Sequence, residues 1–279
     1  MSEAALQSYI DKWLAVQPQQ RIALAFVDPH TYPGHVALAA LEQELLAAAY
    51  GIREPQVAAT KLNWWAEELS GAAASGGRHP LTQVLFDDER AHALPNERWV
   101  APVLAAMAQL EQGTAADFPA QLAAGGMLHG ALASLETAWW YGEGASAEHA
   151  SRVATLSHLV FALMRLEEDA ERDRLALPMA RLARHGLSRH DLRTASTARE
   201  EAVRAQLEDL HAAWGTAGQL PGPLSAFRGL EARQGRTLVA KARKAADPLA
   251  VLRKGQGRQG PGVAWQAWLA ARAWRRQAG

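Results

Sequence analysis

Apolar residues in this chain recur at three- and four-residue steps, and nowhere do they alternate over a length that would make a useful strand. That spacing lays them along helical faces and leaves no sheet to build. The clearest case runs from Ser151 to Glu168. There Val153, Leu156, Val160, Leu163 and Met164 share one side, which predicts a single helix with a buried face. Alanine fills about one position in five and β-branched residues are sparse, so local propensity points the same way. Pro55 and Pro95 sit where a first helical residue belongs. Thr197 to Glu200 and Ser188 to Asp191 read as capping boxes, with a carboxylate three residues after the hydroxyl. The expected fold class is all-α.

With 279 residues, 49% of them hydrophobic, the chain can bury one large core. Breaks at Asp28–Gly34, Ser70–Pro80, Asp87–Pro95, Gly142–Ala147, Gly215–Pro223 and Gly255–Gly262 are too short for linkers, and no long repeat is present. The expectation is one domain: a helical body over 1–227 and a basic, Trp-containing helical extension of the same domain over 228–279. Overall charge is balanced, but the extension carries twelve basic and two acidic residues. The acidic remainder opposes nucleic-acid binding. The absence of cysteine excludes a disulfide framework, a thiolate metal site and a cysteine nucleophile. The first residues, MSEAALQSYIDKW, lack the apolar core of a signal peptide. The longest uncharged run, Phe118 to Leu135, holds Pro119, three glycines and His129, and is barely long enough to span a bilayer. A cytoplasmic protein is expected, soluble or peripheral on the inner face of a membrane.

Two segments have the composition of a site. The first is Arg165-Leu-Glu-Glu-Asp-Ala-Glu-Arg-Asp-Arg174, just before Leu175-Ala-Leu-Pro178. On a continuous helix Asp169 and Asp173 would share a face and could hold Mg²⁺ with Glu168 adjacent, while Arg172 and Arg174 grip the same anion. The same residues also suit a solvated helix end laced with ion pairs. The second segment is Lys61-Leu-Asn-Trp-Trp-Ala-Glu-Glu-Leu69, followed by His79-Pro80. Trp64 and Trp65 cannot share one helical face, so one of them meets a different neighbour or lines a cavity. The histidines show no ligand spacing, and His129 and His158 read as packed or solvent-facing.

Taken in order, these landmarks resemble the squalene/phytoene synthase family. An apolar helix with a carboxylate (Ala37–Tyr50, with Glu44) is followed by Arg53-Glu-Pro55, then Asn63-Trp-Trp65 and His79-Pro80. The acidic segment Asp169, Arg174, Leu177-Pro178 and then Gly186-Leu187 complete the set. The resemblance implies an isoprenoid-synthase helical bundle around a central cavity. It also implies two Asp-rich helices whose carboxylates bridge Mg²⁺ to a prenyl diphosphate, and head-to-head joining of farnesyl or geranylgeranyl diphosphate.

This chain departs from that pattern at both motifs. The first falls on Glu44-Leu-Leu-Ala-Ala48, with one carboxylate and one methyl group. The second falls on Arg165-Leu-Glu-Glu-Asp169, where a permanent cation replaces the first aspartate. The tyrosine expected before Leu-Pro is Ala176, and the arginine expected ahead of the first helix is His35. Glu44, Glu168, Asp169 and Asp173 are then the residues that would hold Mg²⁺ if catalysis survives; otherwise no cofactor is expected. Arg165, Arg172, Arg174, Trp64 and Trp65 are expected at the diphosphate or in the cavity. The pattern is closer to relatives with eroded motifs, which include a mitochondrial complex I assembly factor. That likeness implies a non-catalytic or altered protein, a pseudoenzyme that binds an isoprenoid lipid, a membrane surface or a protein partner. The competing expectation is an active Mg²⁺-dependent prenyltransferase. In the tail, Trp265, Trp268, Trp274, Arg275 and Arg276 suit either a membrane or partner surface or a helix packed on the domain.

Overall fold

The computed structural model describes residues 3–257 and 259–277; Arg258 of the glycine-rich stretch lies outside them. The described residues are helices joined by turns, without a strand. In chain order the first are α1 (Glu3–Val16), α2 (Gln20–Ala23), α3 (Pro33–Leu46), a π turn (Ala47–Gly51) and α4 (Pro55–Ser75). Then follow α5 (Pro80–Phe86), α6 (Glu89–Ala93), α7 (Asn96–Leu110), α8 (Phe118–Tyr141) and α9 (Glu148–Met164). The last are α10 (Leu166–Glu171), α11 (Met179–Arg184), a 3₁₀ turn (His190–Arg193), α12 (Thr197–Ala217), α13 (Ala226–Ala242), α14 (Pro248–Gln256) and α15 (Pro261–Gln277). No described helix is long and apolar enough to cross a membrane.

Side chains start many of these helices by accepting the orphan N–H groups of the first turn. Asp88, Asp117, Ser225 and Asp247 cap α6, α8, α13 and α14 in this way. The α12 cap is Ser196, one residue earlier than the predicted box, and its oxygen accepts from Arg199 N–H. Ser188 and Asp191 do bond reciprocally, but they close the 3₁₀ turn and not an α-helix. Pro55 opens α4 as expected, whereas Pro95 caps α7 from outside.

Two apolar clusters hold the helices together. One gathers α1, α3, α4, α5, α7 and the end of α8, with Phe227, Leu230 and Trp274 reaching in from the C-terminal segment. The other joins α9, α10, α12, α13 and α14. Helix α8 runs along both α7 and α9, and α13 packs on both α15 and α9, so these helices tie the clusters together. The C-terminal segment is therefore part of the core. Residue 228 falls in the first turn of α13, and Trp274 is buried against Tyr32, His35 and Trp140.

Candidate functional site

Between the two clusters lies a cavity of about 1400 Å³, walled by α3, the π turn, α8, α9, α13, α14 and the start of α15. Leu46, Ile52, Leu110, Val160, Phe161 and Leu238 give it apolar walls. Seven cationic and four acidic side chains also reach it. Three of the four carboxylates are already committed: Glu42 and Glu231 to Arg228, and Asp173 to Arg189. Asp169 remains.

The arginine corner is built by a break in the predicted long helix. The backbone bends at Arg165, whose N–H is shared between the carbonyls of Phe161 and Ala162, so α9 stops and α10 restarts from Arg165 C=O. Helix α10 ends at Glu171, and Asp173 adopts a left-handed backbone with φ of 61°. Asp169 and Asp173 therefore do not share a helical face, which corrects the expected pair. Asp173 is 71% exposed on Arg189, and Glu168 turns outward to Arg165 at 3.4 Å. Arg165 Nε lies 3.8 Å from Asp169 Oδ1, and its guanidinium sits 5.5 Å from the Phe161 ring. Arg174 donates to Ile52 C=O at 3.4 Å. Burial raises the Asp169 carboxyl above its ordinary range, against the pull of Arg165, Arg174 and Arg172. Arg165, Asp169, Arg172 and Arg174 all face the cavity.

Across the cavity, α3 offers no free carboxylate. Glu44 does not line it; its side chain turns towards α4 and α1, with Lys61 Nζ at 2.8 Å and Lys12 Nζ at 3.8 Å. The cavity-lining positions of α3 are Glu42, Gln43 and Leu46, continued on the π turn by Ala47, Ala49, Tyr50 and Gly51. Glu42 is occupied. Arg228 binds it through Nη2 at 2.8 Å, binds Glu136 through Nε at 3.0 Å, and binds Glu231 through Nη1 at 2.7 Å. Burial works against the charge on Arg228, but the three glutamates outweigh it and hold the guanidinium charged. Burial also pushes Glu231 up to about 7. Among the described residues no group of three or more carboxylates or imidazoles is arranged around a metal. Mg²⁺ bridging needs hard oxygens converging from both walls. The donor set here does not fit it: one wall presents Asp169 among arginines, and the other an amide and a methyl group.

Of the double tryptophan, Trp65 belongs to the core and Trp64 to the surface beside it, and neither to the cavity. Trp65 is fully buried and Trp64 is 39% exposed; both rings meet His79, at 4.7 and 5.7 Å between centroids. Neither lines the cavity, which corrects that expectation. His35 lies inside α3 and not ahead of it, buried against Trp140 and Arg90 and held neutral at about 3, chiefly by burial. In α15, Trp274 is buried, so it is not part of a surface. Trp265 is 58% exposed and stacks on Trp268, with Arg272 over the Trp268 ring; Arg276 is exposed, and Arg275 is exposed but donates to Phe26 C=O.

The residues that the sequence reading missed are Tyr50, His129 and His158. Their rings touch in the cavity wall, with His129 and His158 4.4 Å apart and Tyr50 4.5 Å from His158. The signal was present. The two histidines lie at nearly equal distances on either side of the Gly142–Ala147 turn, so antiparallel packing of α8 on α9 brings them level.

The geometry can be set beside known proteins. A family model described as squalene/phytoene synthase matches residues 21–268. No curated protein sequence matches the chain. Among solved structures it is similar to squalene synthase HpnC from Alicyclobacillus acidocaldarius, with a TM-score of 0.57 and 15% identity over 99% of this chain and 97% of that one. It is also similar to a dehydrosqualene synthase in complex with ligand, with a TM-score of 0.58 and 10% identity over 90% of this chain and 97% of that one. These likenesses establish a common isoprenoid-synthase fold. Because the family model spans most of its length, the chain belongs to the squalene/phytoene synthase family.

Proposed function

We propose that the cavity binds a prenyl diphosphate or a related anionic isoprenoid, and that arginines take the place of a metal pair at the anion. The observation that carries this reading is the distribution of charge. Arg165, Arg172 and Arg174 converge on one corner of an apolar cavity, and the carboxylates that would hold Mg²⁺ opposite them are absent or tied to cations. Forked guanidinium donors suit phosphate oxygens, and low-polarity walls strengthen each such bond. The apolar walls would take the isoprenoid chain and exclude water. Without a metal to stabilise the leaving group, ionisation of the carbon–oxygen bond is not favoured, so the chain acts as a binding protein of the pseudoenzyme type.

The test is calorimetric titration with farnesyl and geranylgeranyl diphosphate in the presence of a chelator, beside an assay of diphosphate release with Mg²⁺. Binding without metal is expected. Arg174→Ala should weaken it about tenfold or more, as loss of a charge-assisted hydrogen bond does. Mg²⁺-dependent release that Asp169→Ala abolishes would overturn the reading in favour of an active prenyltransferase. No binding by folded protein would overturn it altogether.

A second reading concerns the outer face of α15. Trp265, Trp268, Arg272 and Arg276 share that face, and the neighbouring Gly260–Gln266 stretch lines the cavity. Tryptophan with arginine suits an anionic bilayer surface, from which an isoprenoid would enter directly. Because Trp274 anchors the helix in the core, the test is Trp265→Ala with Arg272→Glu and not truncation. Loss of sedimentation with phosphatidylglycerol vesicles is expected; unchanged sedimentation overturns it.

A further inference from the structure

Three carboxylates share one guanidinium in the cavity wall, apart from the arginine corner. Arg228 of α13 holds Glu42 of α3, Glu136 of α8 and Glu231 of its own helix at 2.8, 3.0 and 2.7 Å. None of the four side chains is more than 16% exposed. Fully ionised, the network would carry two uncompensated negative charges away from water. Like charges that close raise one another's proton affinity, so one carboxyl of the three keeps a proton more readily than the others.

The bonding singles out Glu231. Glu42 lies against Nη2 with both oxygens, and Glu136 accepts from Nε and from the Ser225 hydroxyl. Glu231 accepts only from Nη1 among the described residues. Each accepted bond favours the charged form, so the carboxyl with fewest holds its proton best. Burial, with Glu42 and Glu136 behind it, pushes Glu231 up to about 7 against the pull of Arg228. Glu231 also meets the cavity, as Glu42 and Arg228 do.

The charges that act on Glu231 are those of Arg228, Glu42 and Glu136. Other elements packed on α13 turn theirs elsewhere. The arginines of α2 and α15 are exposed, and α12 makes its ion pairs with Glu167, Arg181, His185 and Arg243. His129 of α8 and His158 of α9 line the cavity, but burial keeps both neutral. Lys241 and Lys254 reach the cavity from α13 and α14 with exposed side chains. The proton on Glu231 therefore lies where the cavity's contents meet an electrostatically unbalanced network.

We propose that Glu231 is a proton-uptake site coupled to the anion in the cavity: an anionic isoprenoid draws a proton from solvent onto Glu231, and loss of that proton loosens the anion. The proposal rests on the reading of the cavity as an anion site. The anion need not touch Glu231. A unit charge within about 10 Å, across an interior of effective dielectric about 20, changes a proton's affinity about tenfold. Because the ligand-bound carboxyl then titrates higher than the free one, the added affinity is complete below about 7 and is lost as pH rises past the bound-state value.

The probe is farnesyl sulfate, whose sulfate stays singly charged throughout, whereas a diphosphate brings its own titration near neutrality. Calorimetric titration of the whole protein runs from about pH 6 to about pH 9, in buffers of different ionisation heat so that bound protons are counted. Wild type should bind about tenfold more weakly at the alkaline end and take up about half a proton per ligand between the two carboxyl values. Glu231→Gln keeps an oxygen for Arg228 but cannot ionise. It should bind across the whole range with the wild type's acid-side affinity and take up no proton. Uptake that persists in Glu231→Gln would place the proton on Asp169 or a histidine and overturn the assignment. Wild-type binding that ignores pH and takes up no proton would overturn the coupling without recourse to the variant, and leave the anion-binding reading standing. No binding by folded protein at any pH would overturn both.

Discussion

Replacing Glu68 by glutamine removes one charge from a place where the fold depends on it. The carboxylate is buried beside the two tryptophans, at the corner where α4 hands over to α5. Its Oε1 accepts from Arg78 N–H at 2.6 Å, His79 N–H at 2.9 Å and the Thr82 hydroxyl at 2.6 Å, while Oε2 accepts from Arg78 Nε at 3.0 Å. Burial alone would raise this carboxyl, but the four donors outweigh it and hold it at about 2, against an ordinary 4.5. That gap corresponds to about 3 kcal/mol of folding free energy. Because the folded-state value is the lower one, the contribution is complete above 4.5 and is lost as pH falls towards 2. In Glu68→Gln one amide oxygen must serve donors that two carboxylate oxygens shared, and the amide N–H₂ confronts another donor. Urea unfolding followed by circular dichroism should show the variant about 3 kcal/mol less stable at neutral pH. The difference from wild type should close as pH falls from 4.5 towards 2. Equal midpoints at neutral pH, or a difference that does not depend on pH, would refute the reasoning. Since neither Glu68 nor its donors line the cavity, the folded variant should bind farnesyl diphosphate as wild type does.

Arg228→Met should cost about 3–5 kcal/mol, because Glu42, Glu136 and Glu231 would be left buried without a counter-ion. Uncompensated carboxylates are relieved by protonation, so thermal melting of this variant should approach wild type at mildly acidic pH and fall away at neutral pH; a pH-independent loss would refute the cluster's role. Gly34→Ala would place a methyl group 2.5 Å from Trp139 Cζ2, and overpacking of that kind should lower stability by about 1–3 kcal/mol. Gly71→Ala, in open space on α4, should instead raise it by about 0.5–1 kcal/mol, and the two unfolding midpoints measured side by side check the contrast.

The helices were legible because their apolar spacing and capping residues act locally, and the ordered landmarks from Glu44 to Leu187 carried the family. The site was less legible, and the reasons are particular. Helix α3 is buried on most of its sides, from His35 through Leu45, so it has no solvated face from which to read which residues meet the cavity. Glu44 and Glu42 could not be told apart on that basis, although one meets lysines and the other an arginine. Asp173 was placed with Asp169 by helical spacing, which a single residue of left-handed backbone cancels. Trp274 resembles its exposed neighbour Trp265 in sequence, and only the packing of α15 on α13 and α2 separates them. The histidine pair required the two long helices to be read together as a hairpin.

The turn of α3 also shows what would restore a metal site. The family's first motif was placed on Glu44 and Ala48, neither of which lines the cavity, whereas Gln43 and Ala47, also four apart and one residue earlier, both do. One residue on a helix is a rotation of about 100°, more than any rotamer of Glu44 can recover. Nor can Glu42 be recruited, since withdrawing it would leave Arg228 and its remaining glutamates in an incomplete buried network. Carboxylates must therefore be added, and a cation removed from the facing wall. The combination Gln43→Asp, Ala47→Asp and Arg165→Asp puts two oxygen donors on each side of the cavity while leaving the Arg228 cluster and the tryptophan corner untouched. Such a protein should bind farnesyl diphosphate more tightly with Mg²⁺ than with a chelator, by about tenfold or more for a gain of about 1.4 kcal/mol. The wild type should show no such dependence. Chelator-insensitive binding by the triple variant would mean that Gln43 and Ala47 do not present their side chains to Asp169, and the account of the cavity's two walls would have to be redrawn.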